Sequence, residues 1–100
     1  MNNKDFESVL NDTILPEIER LRNAGQSEYA REDQDIFANF KRVGKQLNIS
    51  KEKALMTYFL KHVDGISAWV NGHHSQRESI EGRIGDAIVY LCLLWGMLED

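Results

Sequence analysis

Residues 80–98 constrain the fold more than any other part of the chain, because over nineteen positions they carry only Glu81, Arg83 and Asp86 as charged side chains. At 100° per residue, Ile80, Ile84, Ala87, Ile88, Leu91, Leu94, Trp95 and Leu98 fall on one helical stripe. Val89, Leu93 and Met97 fall on a second, so this helix is apolar nearly all round. Such a helix has to be covered on every side, by neighbouring helices or by another subunit. A chain of 100 residues has few other helices to do it, and a small domain leaves a large share of its surface wet. The expectation is therefore an all-α, four- to five-helix bundle-like domain with long C-terminal helices, one domain over residues 1–100, that oligomerises.

The rest of the chain reads as shorter helices. Phe6, Val9 and Leu10, then Ile14, Leu15, Ile18 and Leu21, have helical spacing, and Pro16 calls for a break or kink with a fresh first turn near Asp12 or Thr13. Arg20 and Arg22 suit a last turn, and Gly25 is a natural left-handed stop. Residues 26–34 read as a loop. Asp33 or Asp35 caps a helix carrying Ile36, Phe37, Phe40, Val43 and Leu47, which ends near Asn48. Ser50 caps a long helix from about 51 to 70 with the stripe Leu55, Phe59, His62, Val63, Ile66 and Val70, and Asn71-Gly72 stops it. Ser75-Gln76-Arg77-Glu78 fits a capping box, which starts the last helix at Gln76.

The single Cys92 excludes an internal disulfide framework. Twelve basic against sixteen acidic residues, a net charge of −4, speak against DNA or RNA as a partner. Residues 1–6 lack the apolar stretch of a signal peptide and no uncharged run reaches 18 residues, so the expected location is cytoplasmic, with no membrane partner.

Two charge pairs at i, i+3 spacing mark candidate chemistry: Lys61 with Asp64 on the third helix, and Arg83 with Asp86 on the fourth. Lys61 and Asp64 share a face with the small residues Ala54, Thr57, Gly65 and Ala68, which a flat ligand or another backbone can approach closely. Asp86 shares its face with Gly82, Val89, Tyr90 and Leu93. One reading of these pairs is helical ion pairing. The other is a phosphate or nucleotide site, with Arg83 as a planar fork, Lys61 as a mobile charge, and the two aspartates accepting from a base or sugar or holding Mg²⁺. Tyr29 and Asn39, which have no evident packing duty, are added as base-reading candidates, whereas Phe40 and Asp35 fit core and cap. His62 reads as a hydrogen-bonded core residue, Cys92 as core or interface packing, Trp69 and Trp95 as packing. The adjacent His73 and His74 lack the spacing of a helical zinc site.

Glu28-Tyr29-Ala30, Asp35, Asn39-Phe40, Lys61-His62-Val63-Asp64 and Ser79-Ile80-Glu81-Gly82-Arg83-Ile84-Gly85-Asp86-Ala87 with Tyr90 resemble small phage and prophage proteins of the nucleotide-modification-associated domain type 1 group. More distantly, the chain is similar to MazG-like all-α nucleoside triphosphate pyrophosphohydrolases. The resemblance covers residues 28–98. MazG-like enzymes hold Mg²⁺ with E-x-x-E and E-x-x-D. Here Lys61-x-x-Asp64 and Arg83-x-x-Asp86 replace the first acid of each pair by a cation. The resemblance thus implies a homo-oligomeric protein that grips a small-molecule nucleotide, or a cyclic or ADP-ribose-type immune signal, without cleaving it. The site expected is Lys61, Asp64, Arg83, Asp86, Tyr90, Tyr29 and Asn39, with no cofactor. The alternatives are a Mg²⁺-dependent pyrophosphohydrolase using Asp64, Glu81 and Asp86, and a protein–protein adaptor presenting its spare apolar face.

Overall fold

A computed structural model describes the backbone of residues 1–29 and 35–100, and side chains outside residues 27–34. All regular structure among the described residues is helical: α1 (Asn3–Val9), a π-helical turn (Leu10–Ile14), α2 (Leu15–Tyr29), α3 (Ala38–Leu47), α4 (Lys51–Val70) and α5 (Ile80–Glu99). The all-α, bundle-like reading holds. No described helix is long and apolar enough to cross a membrane.

Pro16 does not break the first helical rod. The chain widens instead into a π turn in which the Leu15 N–H donates to the Leu10 carbonyl, and α2 starts there. Proline has no N–H to give and its ring crowds the carbonyl four residues back, so a wider turn just ahead of it accommodates the ring without ending the helix. Gly25 does not stop α2 either, which continues to Tyr29. It lines a cavity bounded by α2, α3, α4 and α5. A Cβ at Gly25 would meet nothing within 4 Å, so no close packing demands a glycine there; elsewhere on α2, Leu21 lies against the bare Cα of Gly85 and ties α2 to α5. The expected loop at 26–34 is therefore helical as far as Tyr29, and Asp33 lies outside the described residues.

The remaining boundaries follow local chemistry. Asp35 Oδ1 accepts from the Phe37 N–H at 2.9 Å, and Oδ2 accepts from Lys41 Nζ at 2.7 Å. These bonds, the Lys41 one above all, hold the Asp35 carboxyl below its ordinary pKa. Asn48 ends α3 in the left-handed conformation, φ 58°, a position that asparagine tolerates better than most residues. Ser50 caps α4 by accepting from the Lys53 N–H, and Gly72 at φ 98° follows its end. The last helix starts later than the capping box implies. Ser79, not Ser75, is the cap, accepting from the Gly82 N–H at 3.0 Å, because Glu78 turns toward α4 and α5 and is not available to close a box with Ser75.

The core lies where α3, α4 and α5 meet: Phe37, Phe40, Ala54, Leu55 and Met97 are buried, with Val43, Phe59, Tyr90, Leu93 and Leu94 packed around them. The second apolar face of α5 (Val89, Leu93, Met97) is thus the intramolecular one. Its first stripe is largely uncovered. Ile84, Leu91, Trp95 and Leu98 are exposed, with Trp95 70% and Leu98 76% open to solvent. Together with half-buried Ile88 they step along the helix by four, three, four and three residues, the spacing of a coiled-coil seam. Trp95 is therefore not a packing residue within this chain, Cys92 is exposed rather than buried, and Leu47 and Val70 leave their expected core stripes for solvent.

Candidate functional site

Two adjoining cavities lie over the α4–α5 pair. The larger, about 560 Å³, is bounded by α2, α3, α4 and α5, and the smaller, about 540 Å³, by Lys61, Arg77, Glu78 and Arg83. Lys61 and Glu78 line both. Asn39, Lys61, Asp86 and Tyr90 meet in the larger cavity, and Arg83 joins Lys61 in the smaller. Asp64 is exposed and lines neither cavity. The side chain of Tyr29 lies outside the described residues.

One wall of the larger cavity is aromatic. Tyr58 and Tyr90 are nearly parallel, 14° apart with centroids at 6.2 Å, and Phe40 meets both edge-on at 6.1 and 6.2 Å. Such edge-to-face and offset contacts fix ring positions and leave partly exposed Tyr58 at the rim. His62 lies tilted against Tyr90 at 5.6 Å.

The opposite end is charged. Arg83 crosses from α5 to α4 and lies on Gly65, where a Cβ would come within 2.5–2.7 Å of its side chain. The bare glycine of the small-residue face is thus occupied by the chain's own guanidinium. Arg83 is mostly buried, its Nη1 is 4.0 Å from Glu78 Oε2, and its Nε has no hydrogen-bond partner. Gln76 braces the same place by donating to the Gly65 carbonyl at 3.0 Å and the His73 carbonyl at 3.1 Å, while its own Oε1 is buried without a partner. Among the described residues, five of the chain's twelve Lys and Arg side chains line the two cavities (Arg22, Arg42, Lys61, Arg77 and Arg83), against two carboxylates, Glu78 and Asp86.

Where the cavities join, His62 is buried between those carboxylates, with Nδ1 3.9 Å from Glu78 Oε2 and Nε2 3.9 Å from Asp86 Oδ2. The core position read from the sequence is right, but the hydrogen bond expected with it is absent: Nδ1 is buried with no partner. Burial raises the Asp86 carboxyl above its ordinary pKa, and Glu78 adds to this, while His62 and Arg20 oppose it. Of Asp64, Glu81 and Asp86, only Asp86 belongs to this cluster; its companions are His62 and Glu78. The sequence reading had given His62 a core role and Glu78 a capping one. The local signal for Glu78 pointed to a helix cap, and nothing local tells that the α4–α5 connection folds it back onto His62.

No protein-family model matches the chain, and no curated protein or solved structure matches it.

Proposed function

We propose that this chain binds a nucleotide-class anion across the two cavities and holds it without cleaving it, as a homodimer or larger assembly in the cytosol of a phage-infected cell. The observation that carries the reading is the gathering of five cations around two carboxylates in a protein whose net charge is −4. Lys61, Arg77 and Arg83 serve the phosphates, since guanidinium and ammonium groups form strong charge-assisted bonds to phosphate oxygens. Tyr58, Tyr90 and Asn39 offer a planar ring a stacking surface and an amide to read its edge. The resemblance to small phage proteins supports a sequestering role, with a nucleotide immune signal as the ligand. The uncovered seam of α5 supports self-association, because two copies related by a two-fold axis would cover it with itself.

Hydrolysis through Asp64, Glu81 and Asp86 finds less support, since Asp64 and Glu81 lie outside both cavities. A site supplied with cations attracts phosphate without waiting for Mg²⁺. The test is incubation with a panel of linear, cyclic and ADP-ribose-type nucleotides, followed by denaturation and identification of the released molecule. Intact release is expected. Calorimetric affinities in EDTA and in millimolar Mg²⁺ should agree within about tenfold, or 1.4 kcal/mol, and Lys61→Ala, an exposed change, should weaken binding while leaving the thermal midpoint unmoved. Altered release with an absolute Mg²⁺ requirement would move the reading to the pyrophosphohydrolase, and no retention of any nucleotide would move it to the adaptor.

A further inference from the structure

The cluster where the two cavities join has a geometry that neither hydrogen bonding nor packing accounts for. His62 is nine-tenths buried on α4, Glu78 reaches it from the α4–α5 connection, and Asp86 reaches it from α5. Each carboxylate faces a different ring nitrogen at 3.9 Å, beyond the 2.7–3.2 Å or so of an N–H···O hydrogen bond. Nδ1 is left buried and unsatisfied, a cost native structures normally avoid. One donor atom from each of the three residues can nevertheless be chosen so that all lie within 4.8 Å of one another.

We propose that His62, Glu78 and Asp86 bind one divalent transition-metal ion. Nitrogen and oxygen ligands sit about 2.0–2.2 Å from an ion such as Zn²⁺, which places two ligand atoms roughly 3–3.5 Å apart, so closing the cluster takes shifts of a few tenths of an ångström to about one. The ion would satisfy an otherwise unpartnered imidazole nitrogen and neutralise the two carboxylates gathered beside it. One nitrogen and two carboxylates suit Zn²⁺, Co²⁺ or Mn²⁺ better than Mg²⁺ or Ca²⁺, which prefer all-oxygen shells. Arg83, 4.0 Å from Glu78 Oε2, competes for that carboxylate and sets an upper limit on affinity. Because all three residues line the larger cavity, the ion's remaining coordination positions would open toward its contents. The inference does not rest on the nucleotide reading, since the metal alone is the probe.

The experiment titrates the EDTA-stripped, full-length protein with Co²⁺, followed by visible absorption, and with Zn²⁺, followed by calorimetry and thermal unfolding. One equivalent per chain is expected, with a Zn²⁺-induced rise in the midpoint. His62→Gln and Asp86→Asn should each weaken binding by at least about tenfold and abolish the rise. A double change of His73 and His74 to Asn, and Cys92→Ser, should leave both readouts intact. If His62→Gln fails to fold, Asp86→Asn, at a partly exposed side chain, decides. Absence of saturable binding below millimolar metal, or binding that survives Asp86→Asn, or binding that is lost on changing His73 and His74 or Cys92, would overturn the proposal.

Discussion

Trp95→Glu places a charge in the uncovered α5 seam and tests whether a second copy covers it. A tryptophan buries roughly 200 Å² on packing, and 70% of this one is open to solvent in the single chain, so a partner has about 140 Å² left to cover. At about 25 cal/mol/Å² that is about 3.5 kcal/mol per copy, before roughly 1 kcal/mol for ordering the side chain at an interface. In a two-fold dimer the residue counts twice, which makes the loss about 5 kcal/mol, or a dissociation constant raised by at least about 10³. Desolvating the new carboxylates adds to this. The fold of the single chain should be spared, because the position is already in water there. Sedimentation with light scattering should show the wild type as a dimer or larger at tens of micromolar. The variant should run at the 11.5 kDa of one chain with an unchanged far-ultraviolet circular dichroism spectrum. A monomeric wild type, or a variant that stays assembled, would refute the seam as a self-association surface.

Gly65→Ala should separate stability from binding: the helix gains about 1 kcal/mol of propensity, but the new methyl must push away the Arg83 side chain lying on it. Calorimetry should therefore show weaker nucleotide binding with little net change in the thermal midpoint, whereas unchanged affinity would mean that Arg83 does not serve the ligand from this position. Asp86, whose carboxyl is raised above its ordinary pKa mainly by burial, binds a proton more readily folded than unfolded, so its contribution to stability falls as pH rises from the ordinary value through the raised one. Asp86→Asn removes that contribution to the slope, and metal-free denaturant titrations between pH 4 and 7 should show the stability of the variant minus that of the wild type increasing as pH rises; a difference that decreases with rising pH would contradict the burial argument.

Helix class and several boundaries were legible because their causes are local. Ser50 accepting from the third amide on, Asn48 in the left-handed conformation and Gly72 after α4 depend on a few neighbouring residues, and the sequence states them directly. The all-round apolar character of α5 was also plain. Of the candidate site residues, Asn39, Lys61, Asp86 and Tyr90 share one cavity and Lys61 meets Arg83 in the next, whereas Asp64 lines neither. What the tertiary structure alone decided is which local signals win when two compete. Ser75 with Glu78 and Ser79 with Gly82 are both plausible starts for α5, and Ser79 caps it because Glu78 is drawn to His62 and Arg83 across the bundle. The Gly65 gap reads as room for a ligand until Arg83, eighteen residues on, fills it. Of the two apolar faces of α5, Val89, Leu93 and Met97 turn inward and the face of Trp95 and Leu98 remains in water. Helical periodicity specifies that two faces exist, but only the packing of α3 and α4 against one of them determines which is left over.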